Sequence, residues 1–287
     1  MADQVTINRL RRIAAEIRLL VVKMMGAGKA HHFGGSLSAA DMITALYFYG
    51  MRYDPKDPKW PGRDRLIMSK GHSVPVQYAA LALLGVFEVD ELFTLKKLGS
   101  RLQGHPAMHL TPGLEACTGA LGEGLSYANG MALAARVKGL NYRVFCVIGD
   151  GELHEGQIWE AAMTAPKREL VNVKAFIDRN QLKAMDAADS SKCMDPLVLR
   201  WESFGWAVQE IHGHHMGEIC AAIDWACAQE SRPSMIICNT VKGKGVSFLE
   251  NAAGFHNAPV SDEQYEKAVQ ELEANLRQLE EGDATAY

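Results

Sequence analysis

Apolar residues recur at helical spacing through Ile7, Leu10, Ile13, Ile17, Leu20, Val21 and Met24, and Gly26 and Gly28 end the run. The pattern predicts an opening helix with Thr6 as its N-cap. A loop over Lys29–Leu37 follows. Ser38-x-x-Asp41 reads as a capping box that opens a second helix, Met42–Tyr49. Short runs rich in β-branched residues predict strands at Arg65–Ser69, Arg143–Ile148, Trp206–Ile211 and Ser234–Val241, and a further strand ends at Asp178-Arg179-Asn180. Helical patterns lie between them, at Val76–Leu84, within Thr118–Ala135, after Gly149-Asp150-Gly151 and at Gly217–Gln229. A last acidic helix covers about 262–281, with Glu263, Glu266, Glu271 and Glu273 expected on a solvated face. This alternation predicts an α/β fold, a mostly parallel sheet with helices on both faces, in one domain spanning residues 1–287.

The chain is organised around residues 149–180, a βαβ unit with polar oxygen atoms at the carboxyl ends of both strands, where open α/β sheets hold ligands. Asp150 can supply a carboxylate, Asn180 an amide oxygen, and a nearby carbonyl such as that of Leu182 a third donor, a set suited to Mg²⁺ or Ca²⁺. Gly149 and Gly151 admit a close backbone, and the helix after them is expected to aim its first amides at an anion. The plainer reading of GDG is a turn after a strand. Asn180, beyond residues 152–179, tips the balance toward a metal-diphosphate site.

Composition narrows the class. Of 287 residues 48% are hydrophobic and 22% charged, which is ordinary for a globular protein. The formal net charge of −4 gives no electrostatic surface for nucleic acid, so none is expected as a partner. No stretch reaches the ~18 apolar residues of a membrane span, and the N-terminus is amphipathic rather than signal-like. Cys117, Cys146, Cys193, Cys220, Cys227 and Cys238 are scattered without a CxxC pair, and read as buried thiols of a cytoplasmic protein.

KAHHFGGSLS, SKGHSV, GHP, TPGLE, TGALGEGLSYANGMA, GDGELHEG, DRNQL and VKGKGVSF with its downstream His256 occur in an order that resembles transketolase over nearly the whole chain. The length resembles only the N-terminal, diphosphate-binding part of a full transketolase. The resemblance therefore implies the thiamine diphosphate-binding fold and one subunit of a split enzyme. It implies metal ligation by Asp150, Asn180 and the Leu182 carbonyl. It also implies cofactor contacts from His72, Gly119, Leu121, Gly149, Gly151 and His256. His32, His72, His105 and His256 would converge on the reacting carbon. Glu155 and Glu160 would link two cofactor sites across a subunit interface. His109, His154, His212, His214 and His215 have no such setting and are expected to be structural or solvent-facing.

What the resemblance implies is a ketol transfer from a ketose to an aldose. The glutamate that activates the cofactor belongs to a pyrimidine-binding domain which the motifs here do not include. A partner carrying the pyrimidine-binding and C-terminal domains is therefore expected, in a heterotetramer. His31 stands where glycine is usual and Phe33 where proline is usual. Both flank His32, which leaves the donor open between pentose-phosphate sugars and a modified ketose. Two other readings stay open, the α chain of a thiamine-dependent 2-oxoacid dehydrogenase and a non-catalytic scaffold of the same fold.

Overall fold

The computed structural model describes residues 2–29, 31–180 and 194–284. Its centre is a five-stranded sheet of β1 (Arg65–Met68), β2 (Val144–Gly149), β3 (Val173–Arg179), β4 (Ala207–His212) and β5 (Ser234–Asn239). The order is β1-β2-β3-β5-β4 and every pairing is parallel. Parallel strands need crossovers, and the helices that make them cover both faces, as the alternation predicted.

Side-chain alternation along the strands builds two cores. Leu66, Met68, Phe145, Val147, Phe176 and Ile236 point to one, beneath α1 (Gln4–Met25), α3 (Ala40–Ala45), α4 (Val74–Leu83) and α8 (Met216–Cys227). Ile67, Cys146, Ile148, Ala175 and Ile177 point to the other, beneath α5 (Gly124–Val137) and α6 (Gly156–Lys167). The second core continues into α7 (Leu197–Ser203), whose Trp201 meets Trp206 edge-on at 5.1 Å between ring centroids. Among the described residues no helix is long and apolar enough to cross a membrane.

Several local expectations are corrected. The first N-cap is Asp3, whose carboxylate accepts from the Thr6 N–H at 2.8 Å. Gly26, at φ 67°, ends that helix as expected. The predicted loop at 29–37 contains a short helix, α2 (Phe33–Ser38), and no capping box forms after it. Ser38 Oγ instead donates to Asp178 at 2.6 Å, and Asp41 pairs with Arg18, because both side chains are buried where a charge or hydroxyl needs a partner more than a helix end does. The terminal helix α9 (Asp262–Ala284) packs on α1 through Ala268 and Leu272. Two of its acids are not merely solvated, since Glu273 pairs with Lys23 at 2.9 Å and Glu271 accepts from the Ser247 N–H and Oγ. Cys146, Cys220 and Cys238 are buried as expected, but Cys117 is exposed and Cys193 lies outside the described residues.

Candidate active site

β1, β2, β3 and β5 deliver their following residues to one patch: Ser69–Ser73, Asp150, Asn180 and Thr240–Lys242. Asp178, fully buried at the end of β3, ties the patch together. Its carboxylate accepts from Lys70 Nζ, Ser38 Oγ at 2.6 Å, Thr240 Oγ1 and Asn180 Nδ2 at 3.4 Å. Burial alone would raise the Asp178 pKa, but the Lys70 charge and these donors hold it below the ordinary value. Sequence reading passed over this residue, although an acid directly after the apolar run Ala175–Ile177 and before Arg179-Asn180 was the available signal.

Asp150 and Asn180 project from neighbouring strand ends. Gly149 lies opposite Asp178 in the β2–β3 register, and the Asp150 N–H donates to the Asp178 carbonyl at 3.3 Å. Leu182, the third expected ligand, lies outside the described residues. Among the described residues no cluster of three His, Cys, Asp or Glu side chains forms a metal centre. The available donors are thus a carboxylate and an amide oxygen, which fit a hard cation. The helix expected to begin at GDG is displaced: a 3-10 turn, Gly151–His154, intervenes and α6 starts only at Gly156. The amides beside Asp150 therefore belong to the turn, and Asp150 itself accepts from the Gly151 N–H at 2.8 Å.

Glu152 explains that turn. Its buried carboxylate accepts from Ser69 Oγ, the Gly122 N–H at 2.8 Å and the Gly149 N–H at 3.1 Å, so one side chain fixes β1, the glycine-rich loop and β2 relative to each other. Burial raises its pKa, and the three donors work against that rise.

Three expected histidines do come together. The ring centroids of His32 lie 4.9 Å from His72 and 5.3 Å from His256, and His72 and His256 are 5.5 Å apart. His105 joins at 6.4 Å from His32. Burial is the main cause that pushes the pKa of His72 down to about 2 and those of His32 and His256 down to about 4. At neutral pH these rings are uncharged, and each offers one donor and one acceptor. Lys242 Nζ lies 3.2 Å from His256 Nδ1. A charged ammonium has only donors, so this contact leaves the proton on Nε2 of His256.

The residues fit a diphosphate. Lys70 and Lys242 are both 2% exposed at the strand ends. Ser73 Oγ is buried and has no hydrogen-bond partner among the described residues. It lies 2.6 Å from where a β-carbon on Gly35 would stand, with His72 Nε2 at 3.6 Å and Lys70 Nζ at 3.8 Å from that point. Only glycine allows the backbone this close to a hydroxyl, an imidazole nitrogen and an ammonium, and the hydroxyl and ammonium are donors of the kind that oxyanions require. Lys70, Lys242 and Ser73 were not predicted; the buried lysines sit in the KGHS and VKGKG motifs that carried the resemblance.

His105, Gly119 and Leu121 form an exposed lip beside this cluster, with the Gly119 backbone against the His105 ring. Glu155 and Glu160 stay outside the cluster: both are exposed, the first preceding α6 and the second on it. Of the five histidines expected to be structural or solvent-facing, His214 is structural. Its Nδ1 contacts Asp41 at 2.7 Å and its Nε2 accepts from the Val241 N–H at 2.8 Å, which anchors the segment bearing Lys242.

Residues 10–279 match the family described as the transketolase, thiamine diphosphate binding domain. The chain is 45% identical over 264 residues to the 6-deoxy-6-sulfo-D-fructose transketolase subunit SqwG of Clostridium sp. strain MSTE9, covering 92% of this chain and 96% of that protein. It is 40% identical over 263 residues to an apulose-4-phosphate transketolase subunit of Phocaeicola vulgatus, covering 92% and 93%. The crystal structure of Campylobacter jejuni transketolase superposes with a TM-score of 0.85 at 31% identity, over 95% of this chain but only 43% of that one. The parallel sheet, the strand-end acid and amide, and these matches together place the chain in the transketolase family, as its thiamine diphosphate-binding N-terminal domain.

Proposed function

We propose that the chain is the diphosphate-binding subunit of a two-chain transketolase, which moves a two-carbon ketol unit from a ketose donor to an aldose acceptor. The observation that carries the reading is the group of neutral imidazoles, His32, His72 and His256, standing beside buried lysines at the strand ends. Asp150, Asn180 and the carbonyl of Leu182 would hold Mg²⁺ or Ca²⁺, and Lys70, Lys242 and Ser73 would hold the diphosphate of thiamine diphosphate. Gly119 and Leu121 would face its rings. Bound thiamine diphosphate would supply the nucleophilic chemistry of ketol transfer.

This chain's part in the chemistry is to orient the sugar and handle its protons. His256, protonated on Nε2, donates to a sugar oxygen, while His32 and His72, kept uncharged at neutral pH by burial, each offer one hydrogen-bond donor and one acceptor to sugar hydroxyls. The exposed lip at His105, Gly119 and Leu121 needs a cover, which the pyrimidine-binding and C-terminal partner supplies in a heterotetramer. Glu155 and Glu160 belong to the subunit interface. The free thiols suit a cytoplasmic enzyme.

The relatives' names, which give 6-deoxy-6-sulfo-D-fructose and apulose-4-phosphate, support a modified ketose as donor. The test is ketol transfer by the purified chain, with and without the partner, in the presence of cofactor and Mg²⁺. Turnover is expected only from the pair, and robust turnover by this chain alone would overturn the two-chain reading. Cofactor and metal should also raise the Tm of the pair. A donor panel decides the sugar, since best turnover on xylulose 5-phosphate would remove the case for a modified one.

A further inference from the structure

β4 and β5 run side by side to their ends, where His212 lies opposite Asn239. The residues beyond stay together. Gly213 gives its N–H to the Asn239 carbonyl at 2.8 Å, and a β-carbon on it would stand 2.5 Å from Thr240 Cγ2. A residue without a side chain is needed there, and it lets His214 reach Val241. The His214 side chain is only 7% exposed and is bonded at both nitrogens. Its Nε2 accepts from the Val241 N–H at 2.8 Å, and its Nδ1 faces Asp41 Oδ2 at 2.7 Å. An amide N–H can only donate, so Nε2 presents its lone pair and Nδ1 carries the proton, which it gives to Asp41.

Asp41 is held in turn by Arg18, through Nη1 at 3.1 Å and through Nη2. Arg18 comes back to the same loop, since a β-carbon on Gly245 would stand 3.3 Å from its Cδ. Arg18, Asp41 and His214 thus grip residues 241–245 at both ends. Between those ends the Gly243 N–H donates to the Gly34 carbonyl at 3.1 Å, and the Asn251 N–H donates to the Lys242 carbonyl at 2.9 Å. The Lys242 stem lies across Gly34, where a β-carbon would stand 2.8 Å from Cγ. His214 fixes the remaining peptide, the one that joins Thr240 to Val241. On one side of that peptide Thr240 Oγ1 donates to Asp178, and on the other Lys242 Nζ lies beside His256.

We propose that His214 is a positioning residue for cofactor binding, which holds Lys242 where it meets the diphosphate by accepting the Val241 N–H. The assignment rests on the thiamine diphosphate reading above. A long ammonium side chain binds an anion best when its backbone is already fixed, because less freedom is then lost on binding. The bond to Asp41 has a separate task. It keeps the proton on Nδ1 and so keeps Nε2 an acceptor.

The two nitrogens can be tested apart, because an Asn amide reaches as far as Nδ1 and a Gln amide as far as Nε2. His214→Asn keeps the contact with Asp41 and loses the one with Val241, and His214→Gln does the reverse. Thiamine diphosphate with Mg²⁺ is titrated into the assembled pair of chains, and Tm is read without ligand. Tm should be higher in His214→Asn than in His214→Gln, because buried Asp41 keeps its donor. The cofactor Kd should nevertheless rise about tenfold in His214→Asn, the size of one hydrogen bond, and stay within about threefold of wild type in His214→Gln. A residue that only stabilised the fold would make affinity follow Tm. Because His214 acts through Lys242, adding His214→Asn to Lys242→Met should raise Kd by less than about twofold more. Affinity that follows Tm across the two variants, or a full added loss of about tenfold in the Lys242→Met background, would overturn the assignment. A wild-type pair that binds no thiamine diphosphate would overturn the cofactor reading, and the assignment with it.

Discussion

Replacing Asp178 by Asn tests whether the strand ends are held by one buried charge. The substitution keeps the shape of the side chain and removes its charge. Oδ2 now accepts from Lys70 and Ser38, and Oδ1 from Thr240. Whichever way the amide turns, its NH₂ faces a group that was donating, and Lys70, 2% exposed, loses its counter-ion. Breaking one side of such a buried pair costs about 3–5 kcal/mol. At about 2 °C per kcal/mol for a chain of this size, Tm should fall roughly 6–10 °C. Calorimetry and urea unfolding of wild type, Asp178→Asn and the double variant with Lys70→Met would measure it. The double variant should recover part of the loss, because no unpaired charge remains. The pH dependence has a definite sign. The Asp178 pKa is lowered on folding, so its stabilisation is present above the unfolded carboxylate pKa and is lost as pH falls through the lower folded value. The acid limb of the stability curve should therefore flatten in Asp178→Asn. A loss below about 1 kcal/mol with an unchanged acid limb would refute the reasoning.

Other outcomes follow from the same geometry. Glu152→Gln must turn its NH₂ toward a donor from Ser69, Gly122 or Gly149, and should cost about 1–3 kcal/mol, read as a drop in Tm; an unchanged Tm would show that this carboxylate does not pin the loops. Ser73→Ala removes a buried hydroxyl with no partner among the described residues, so the Tm of the chain should stay the same while the cofactor Kd measured on the assembled pair rises about tenfold. His32, His72 and His256 are held neutral by burial, with folded pKa values below the unfolded one, so their stabilisation is full above pH ~6.5 and declines on acidification. Potentiometry at pH 5 should find proton uptake on unfolding, and His32→Asn should reduce it by nearly one proton. Leu121→Asp, on the exposed lip, should leave the Tm of this chain unchanged but weaken its binding to the partner, as ultracentrifugation of the mixture would report.

The sheet was legible because a parallel strand buried on both faces has few alternatives: RVFCVI and VKAFID are apolar apart from Arg143, Lys174 and Asp178, and turn residues bound them. Helix starts were less legible. Ser38 and Asp41 have the spacing of a capping box, yet each is claimed by a partner far along the chain, Asp178 and the pair Arg18 and His214. Local pattern carries no information about which distant charge will be buried beside it. The same limit hid Lys70 and Lys242, since a lysine in a loop motif reads as solvated until the fold closes over it. The histidines were found only because their motifs occur together. Nothing in the spacing of 32, 72, 105 and 256 says that three of the rings will meet within 6 Å.

The electrostatics of the cluster bear on the cover proposed for it. On this chain alone, burial already lowers His72 furthest, while His105 remains exposed. Covering the lip removes water from the side where His105, Gly119 and Leu121 are open, and desolvation disfavours the charged imidazole further. Neutral rings beside the lysine-bearing strand ends neither repel the lysines nor neutralise the anions brought to them. A charged cluster would compete with Lys70 and Lys242 for Asp178 and for the diphosphate, and it would leave no neutral ring to accept a proton. In the proposed pair, the partner's surface and the buried half of this chain would push the site in the same direction, toward uncharged histidines that each offer one donor and one acceptor at neutral pH.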